Sequence, residues 1–515
     1  MQRILWADDE IEVLQAHVLF LQSKGYDVIT VTNGDDAVAK INEAPYDIVL
    51  LDEMMPGKDG LTTLNEIKDS HPQTPVIMIT KNEEESLMEE AIGKRIDDYL
   101  TKPVNPSQIL MACKKILDKK NIISEKRSQE YAVEISKLSI SLMNMNTPDD
   151  WIEQAVKIFR MDMELDASTD SDFRQILYDQ RKESNKEFCK FVEKNYSAWL
   201  ADRDNSPTLC TDIVPKYVVP NVQKDEKTIL VIIDCMRVDQ WFMLEPFFYE
   251  WFNIEKEYYY SVLPTATPFS RNAIFSGLFP SEIEKRYPQY WALNDDEASL
   301  NKYEKELLEL QLKRHHIPPE KDVRYVKVMN NDDARSLEKN INNYLSADVL
   351  AIVINFVDIL AHSRSDLPIL KEIAPNEAAY RSLTSSWFEH SPFMAIFRKI
   401  AETKAKTFIT SDHGSVRGLH GTKVIGDRET STSLRYKYGR SLKVDKKHAA
   451  IVKDPEDWKL PSKGLNTNYI IAKEDYYFVY PNNYHKFINH YKDSFQHGGI
   501  SMEEVILPLV KLEGK

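Results

Sequence analysis

Six side chains between positions 234 and 497 have the types that hold metal ions. Asp234 ends the apolar run TILVIID. Asp358 and His362 stand four apart in NFVDILAH. Asp412 and His413 are adjacent in FITSDHG, and His497 lies in FQHGGISMEEVILPLV. Taken singly, each has a plain role: an Asp at a strand end caps the next helix, and a His before Gly makes a turn. Together, three carboxylates and three imidazoles suit two borderline cations such as Zn²⁺. A pair of such ions can clamp the attacking and leaving oxygens of a phosphoryl transfer. The reaction also needs a nucleophile, a hydroxyl whose pKa is lowered. The stretch PTATPFSRNAIFSGLFP supplies Thr267 as the candidate, with Ser270 and Ser276 as rivals.

A second set lies near the start of the chain. Asp8 and Asp9 follow the apolar RILWA, Asp52 ends DIVLLD, Thr80 ends PVIMIT, and Tyr99 and Lys102 lie in DDYLTKPV. Clustered carboxylates hold a hard, oxygen-loving Mg²⁺. That ion and the Lys102 ammonium would neutralise a phosphoryl group passing to Asp52. Thr80 can donate to the new phosphoryl oxygen, and Tyr99 is placed to change rotamer when Thr80 moves.

The elements that must position these groups are legible as a rhythm. In 1–120, short apolar runs alternate with helical patterns, which predicts a doubly wound parallel sheet. Strand carboxyl ends in such a sheet share one crevice, and the second set falls there. From 121 to 205 no strand signal interrupts the pattern. Tyr131, Ile135, Leu138 and Leu142 share one helical face, and Phe188, Val192, Tyr196 and Leu200 another. Thr147-Pro148-Asp149-Asp150 reads as a helix start, with a hydroxyl cap, Pro in the first turn and early acids. This predicts an all-α segment of three helices. Ser206–Asp225 reads as a loop. From TILVIID onward the strand–helix alternation returns, predicting a C-terminal α/β domain over 206–515 with its Asp and His groups near the carboxyl ends of parallel strands.

A chain of 515 residues with 42% apolar content supports two to four packed domains. The formal charge of −15 argues against a general nucleic-acid coat. No helix-turn-helix or basic recognition helix is evident, so direct DNA reading is not expected. Cys113, Cys189, Cys210 and Cys235 are scattered and form no C-x-x-C pair, which indicates neither a thiolate zinc site nor a disulfide framework. MQRILWADDE lacks a basic segment followed by a long apolar one, so no signal peptide is expected. No apolar run reaches the roughly 18 residues of a membrane span. These readings predict a cytoplasmic chain.

The first set resembles response-regulator receiver domains over 1–120. The resemblance implies Asp52 as phosphoacceptor, Asp8, Asp9 and Asp52 as magnesium ligands, and Thr80, Tyr99 and Lys102 as the switch. Lys81 departs from the pattern, since receivers usually carry a small residue there, and a long cation bears on the lifetime of the phosphorylated state. The order Asp, hydroxyl, Asp-x-x-x-His, Asp-His, His resembles the alkaline phosphatase superfamily. PTATPFSRNAIFSGLFP is similar to the nucleophile segment of nucleotide pyrophosphatase/phosphodiesterases, and in that register Thr267 is the nucleophile. HGGISMEEVILPLV is similar to the C-terminus of the PglZ family. The resemblance implies one zinc held by Asp234, Asp412, His413 and the Thr267 oxygen, and another by Asp358, His362 and His497. His420, in LHGTK, competes with His497 for the last ligand position and otherwise contacts substrate. Arg271 is read either as a phosphate contact or as a solvated face residue. A sulfatase is disfavoured, because that chemistry needs a Cys or Ser within C-x-P-x-R and Thr267 is followed directly by Pro268.

The whole order resembles response regulators associated with type IX secretion and gliding. It implies a sensor histidine kinase as partner, a homodimer on phosphorylation, and zinc-dependent phosphodiesterase activity on small cyclic or linear oligonucleotides. The alternative is a catalytically silent zinc-bound scaffold that binds a secretion component or sigma factor. A phosphomonoesterase or phosphomutase on the same metal pair is a third reading.

Overall fold

Alternate residues of a strand face opposite sides of its sheet. In Arg3–Ala7, Ile4 and Trp6 enter one core cluster while Leu5 and Ala7 enter another. The same split recurs in Ile48–Asp52 and Val76–Thr80, so both sheet faces are covered. This computed structural model describes residues 2–81, 96–166, 171–291, 301–366, 368–426, 433–462, 464, 466–481 and 484–515.

The chain divides into two compact units, 1–134 and 135–515. The first is a five-stranded parallel sheet in the order Asp27–Val31, Arg3–Ala7, Ile48–Asp52, Val76–Thr80, Asp98–Thr101. It is the doubly wound fold that the rhythm predicts. Its carboxyl edge collects Asp8, Asp52, Thr80 and Lys102.

The second unit is built on a six-stranded mixed sheet. The parallel strands Val323–Val328, Val349–Ile354, Thr228–Ile233 and Lys406–Thr410 run side by side. Ile506–Gly514 and Phe252–Tyr260 extend the sheet in antiparallel fashion. The inner strands Thr228–Ile233 and Val349–Ile354 are buried at every residue, as a parallel sheet covered on both faces requires.

The all-α segment contains the helices Pro148–Asp166 and Ser171–Ala201, after the helix Pro106–Ser141. Thr147 starts Pro148–Asp166 as its residue type predicts: Asp150 N donates to Thr147 Oγ1 at 3.2 Å and Thr147 N to Asp150 Oδ2 at 2.9 Å. Phe188, Val192, Tyr196 and Leu200 are all buried.

Two expectations need correction. Ser206–Asp225 is not an irregular loop, because Cys210–Asp212, Val214–Val218 and Val219–Val222 form helical turns. Pro215 and Pro220 sit in the first turn of theirs, where a missing N–H costs nothing. His497 does not end a strand of the parallel sheet. It follows Ser494–Gln496, which pairs antiparallel with Val416–Gly418 in a separate ribbon. Between His413 and His497 the chain builds further β-structure, including a three-stranded antiparallel sheet of Tyr436–Arg440, Thr467–Ala472 and Ala449–Val452. No helix among the described residues is long and apolar enough to cross a membrane.

Candidate functional site

Asp234, Asp412 and His413 each leave a strand of the central sheet and converge, with ligand atoms within 4.8 Å of one another. All three are fully buried. Asp358, in the first turn of the helix Phe356–Asp366, converges in the same way with His362 one turn on and with His497. The groupings abut, since the rings of His413 and His497 stack with centroids 4.3 Å apart. His362 has a half-exposed side chain, so the second grouping opens to solvent. His497 stands in it, whereas His420 is held elsewhere by Asp475, Nδ1 to Oδ1 at 2.7 Å.

Thr267 opens the helix Thr267–Ser276, and its Oγ1 lies 3.0 Å from His413 Nε2. His413 Nδ1 donates to the Gly414 carbonyl at 3.1 Å, which leaves the Nε2 lone pair facing Thr267 and the carboxylates. Ser270 and Ser276 are buried and bonded locally, Ser270 Oγ to Ser261 Oγ at 2.9 Å and Ser276 Oγ to the Leu278 carbonyl at 3.4 Å.

The electrostatics suit cations. Asp234 Oδ1 and Asp412 Oδ2 are buried and accept no hydrogen bond from the described residues. His362 Nε2 and His497 Nε2 face each other at 3.0 Å, and both approach Asp358 Oδ1, at 3.3 and 3.5 Å. Burying carboxylates and lone pairs without donors is costly, and a cation between them removes that cost. Burial drives the Asp234 carboxyl well above its ordinary value; Arg271 works against this, while Asp412 and Asp358 add to it. Burial also opposes ionisation of Asp358, yet the hydrogen bond to His362 holds it below the usual carboxylate range. Burial pushes His497 well below its ordinary value, so its imidazole is neutral and fit to ligate.

Arg271 is 1% exposed. Its Nη1 lies 2.7 Å from Asp234 Oδ2 and its Nε donates to Glu304 Oε1 at 2.7 Å. It is therefore neither solvated nor directed at open space. Three residues that the sequence reading missed support the site. Asn355 Nδ2 donates to Asp234 Oδ2 at 2.9 Å, Asn301 Nδ2 to the Thr267 carbonyl at 3.1 Å, and Glu304 holds Arg271. Asn355 opens the quoted NFVDILAH, but an Asn before an apolar residue carries no signal of its own. Cys235 adopts φ 66°, an unusual conformation for a residue with a Cβ, and its N–H reaches Asp412 Oδ1 at 3.3 Å.

In the first unit, Asp8, Asp9 and Asp52 offer ligand atoms within 4.8 Å of one another. Lys102 Nζ lies 2.9 Å from Asp52 Oδ1 and 3.1 Å from Asp8 Oδ2. Burial raises the Asp52 pKa, aided by Asp8, against the hydrogen bond from Lys102. Burial pulls Lys102 down, but Asp52 and Asp8 more than offset it. The Thr80 hydroxyl donates to Glu53 beside Asp52. Tyr99 is 39% exposed on the edge strand, and Lys81 is exposed.

Residues 213–512 match the BREX system PglZ alkaline phosphatase-like domain. The chain belongs to the PglZ family. Residues 4–114 match the response regulator receiver domain and 121–200 the PorX response regulator linker domain, so the three together form a PorX-like architecture. It is a two-component response regulator with an alkaline phosphatase-like domain. Among curated relatives, ResD of Bacillus subtilis (strain 168), a transcriptional regulatory protein, is 36% identical over 115 residues, 22% of this chain and 48% of that protein. CpxR of Klebsiella pneumoniae is 32% identical over 146 residues, 27% of this chain and 61% of that protein. The chain thus spans about half the length of the curated relatives it matches. The Vibrio cholerae chemotaxis protein CheY4 is 28% identical, with 23% of this chain and 99% of that one covered and a TM-score of 0.22.

Proposed function

We propose that the chain is a cytoplasmic response regulator whose PglZ domain is a zinc-dependent phosphodiesterase acting on small cyclic or linear oligonucleotides. The observation that carries this reading is the Thr267 hydroxyl, 3.0 Å from His413 Nε2 where the two Asp/His groupings meet. Asp234, Asp412 and His413, with Thr267, would hold one Zn²⁺, and Asp358, His362 and His497 the other. When bound, the ions lower the hydroxyl's pKa and neutralise phosphate charge. Thr267 Oγ gives up its proton to water and bonds to phosphorus as the bond to the leaving oxygen breaks, and the leaving oxygen takes up a proton from water. Water then cleaves the threonyl phosphate and restores the hydroxyl. The N-terminal end of the helix Thr267–Ser276 adds partial positive charge where the phosphate would sit. Arg271 is assigned to steadying Asp234, and His420 to substrate contact.

A sensor histidine kinase would supply the phosphoryl group to Asp52, with Mg²⁺ held by Asp8, Asp9 and Asp52. Thr80, Tyr99 and Lys102 form the switch that pairs two copies as a homodimer. Type IX secretion and gliding would be the regulated output, as the resemblance of the whole order implies.

The test counts bound zinc and assays bis-p-nitrophenyl phosphate and short oligonucleotides with the wild type and Thr267→Ala. Two zinc ions, with turnover reduced on the order of 10³-fold or more in the variant, is the expected result. Two zinc ions without turnover on any substrate, even after phosphorylation, would favour the scaffold that binds a secretion component or sigma factor. No zinc would mean the ligand set is misread.

A further inference from the structure

One face of the helix Ser171–Ala201 reaches three of the loops that build the metal centre. Arg181, Asn185, Cys189 and Tyr196 are spaced by 4, 4 and 7 residues, which aligns them on that face. Tyr196 Oη accepts the N–H of Leu263 at 2.8 Å, four residues before Thr267. Cys189 Sγ donates to the Ile500 carbonyl at 3.0 Å, and Asn185 Oδ1 accepts the Met502 N–H at 2.7 Å. Asn185 Nδ2 donates to both Glu503 carboxylate oxygens, at 3.1 and 3.0 Å, and Arg181 Nε donates to the same carboxylate. These contacts hold the segment that follows His497. Arg181 Nη2 also lies 3.4 Å from Glu377 Oε1, whose other oxygen is 2.6 Å from Nη2 of Arg237, three residues after Asp234. The loops touch one another as well. A Cβ on Gly414, next to His413, would fall 1.9 Å from the Glu503 carbonyl oxygen.

We infer that the helix Ser171–Ala201 is the positioning element of the metal centre, with Arg181, Asn185 and Tyr196 as its positioning residues. The inference rests on the metal-dependent reading above. Partners behind metal ligands set ligand orientation, and their loss typically weakens metal binding about 10- to 100-fold. A nucleophile displaced by about 1 Å loses about 10²-fold in rate. The buried charges have opposite partners, so the clamp is rigid: Glu503 is 2% exposed and faces Arg181. A displacement of this one helix would therefore reach the Asp234, Thr267 and His497 loops together. That makes it the place where a signal can act on the site.

The test uses the full chain carrying Arg181→Ala, Arg181→Lys or Tyr196→Phe. Co²⁺ is titrated into metal-free protein while visible absorption, affinity against a chelator, and turnover of bis-p-nitrophenyl phosphate are followed. Arg181→Ala should bind Co²⁺ about 10- to 100-fold more weakly with shifted absorption bands, and Arg181→Lys should recover part of both. Tyr196→Phe, which keeps the ring and removes only the hydroxyl bonded to the nucleophile's loop, should keep wild-type affinity and KM while kcat falls. Wild-type spectra, affinity and kcat in Arg181→Ala and Tyr196→Phe would overturn the inference. If Arg181→Ala fails to fold, Arg181→Lys and Tyr196→Phe decide it by the same readouts. A wild type that binds metal but turns nothing over sinks the phosphodiesterase reading alone, and spectra and affinity still judge the positioning role. A wild type that binds no metal sinks both.

Discussion

At the scale of single residues, Arg271 has its guanidinium between Asp234 and Glu304, all three at most 1% exposed. Removing one member of a buried ion pair strands the others and costs about 3–5 kcal/mol. Arg271→Ala should therefore lose roughly that much stability in denaturant titration of the metal-free protein. A loss confined to KM, with stability unchanged, would return Arg271 to a phosphate-contacting role. The sequence identified Arg271 by its place after the nucleophile. It could not identify Glu304, because no motif surrounds that residue and the contact spans 33 positions.

At the scale of elements, the second unit is held by charges as well as by apolar packing. Arg381, 1% exposed, bonds Asp162 and Asp166 of the helix Pro148–Asp166 and also Asp239 of the helix Val238–Leu244. Burial disfavours ionised Glu377, but Arg237 and Arg181 hold its pKa down at about 2 from an ordinary 4.5. The carboxyl is depressed on folding, so its contribution is full above pH 4.5 and is lost as pH falls towards 2. That displacement corresponds to roughly 3 kcal/mol. Chemical denaturation between those pH values should show wild-type stability falling on acidification, with a shallower slope in Glu377→Gln. Equal slopes would remove Glu377 from the network's energetics.

At the scale of the whole molecule, the proposal joins a phosphoacceptor in one unit to a hydrolytic site in the other. Asp52→Ala should keep basal turnover of bis-p-nitrophenyl phosphate and lose any change in turnover or association state on adding a small-molecule phosphodonor. Rate assays and light scattering with and without the donor check this. A donor response in Asp52→Ala equal to wild type would sink the coupling through Asp52.

The sequence by itself determined the doubly wound first domain, the helical middle segment and the return to α/β order, because strand and helix periodicities are local properties of the chain. It also named the six Asp and His residues that the fold brings into two groupings, since each sits in a short motif. Tertiary structure decided what those motifs could not. It put His497 rather than His420 beside Asp358 and His362, through a ribbon pairing residues 416–418 with 494–496. It turned Thr267, and neither Ser270 nor Ser276, toward His413. It enclosed Arg271 and set the Ser171–Ala201 helix against the ligand loops, through contacts as far apart as Arg181 and Glu503. Those outcomes depend on partners from 33 to 322 residues away. The type of a residue limits which bonds it can make, and only the packed chain selects the atom that makes them.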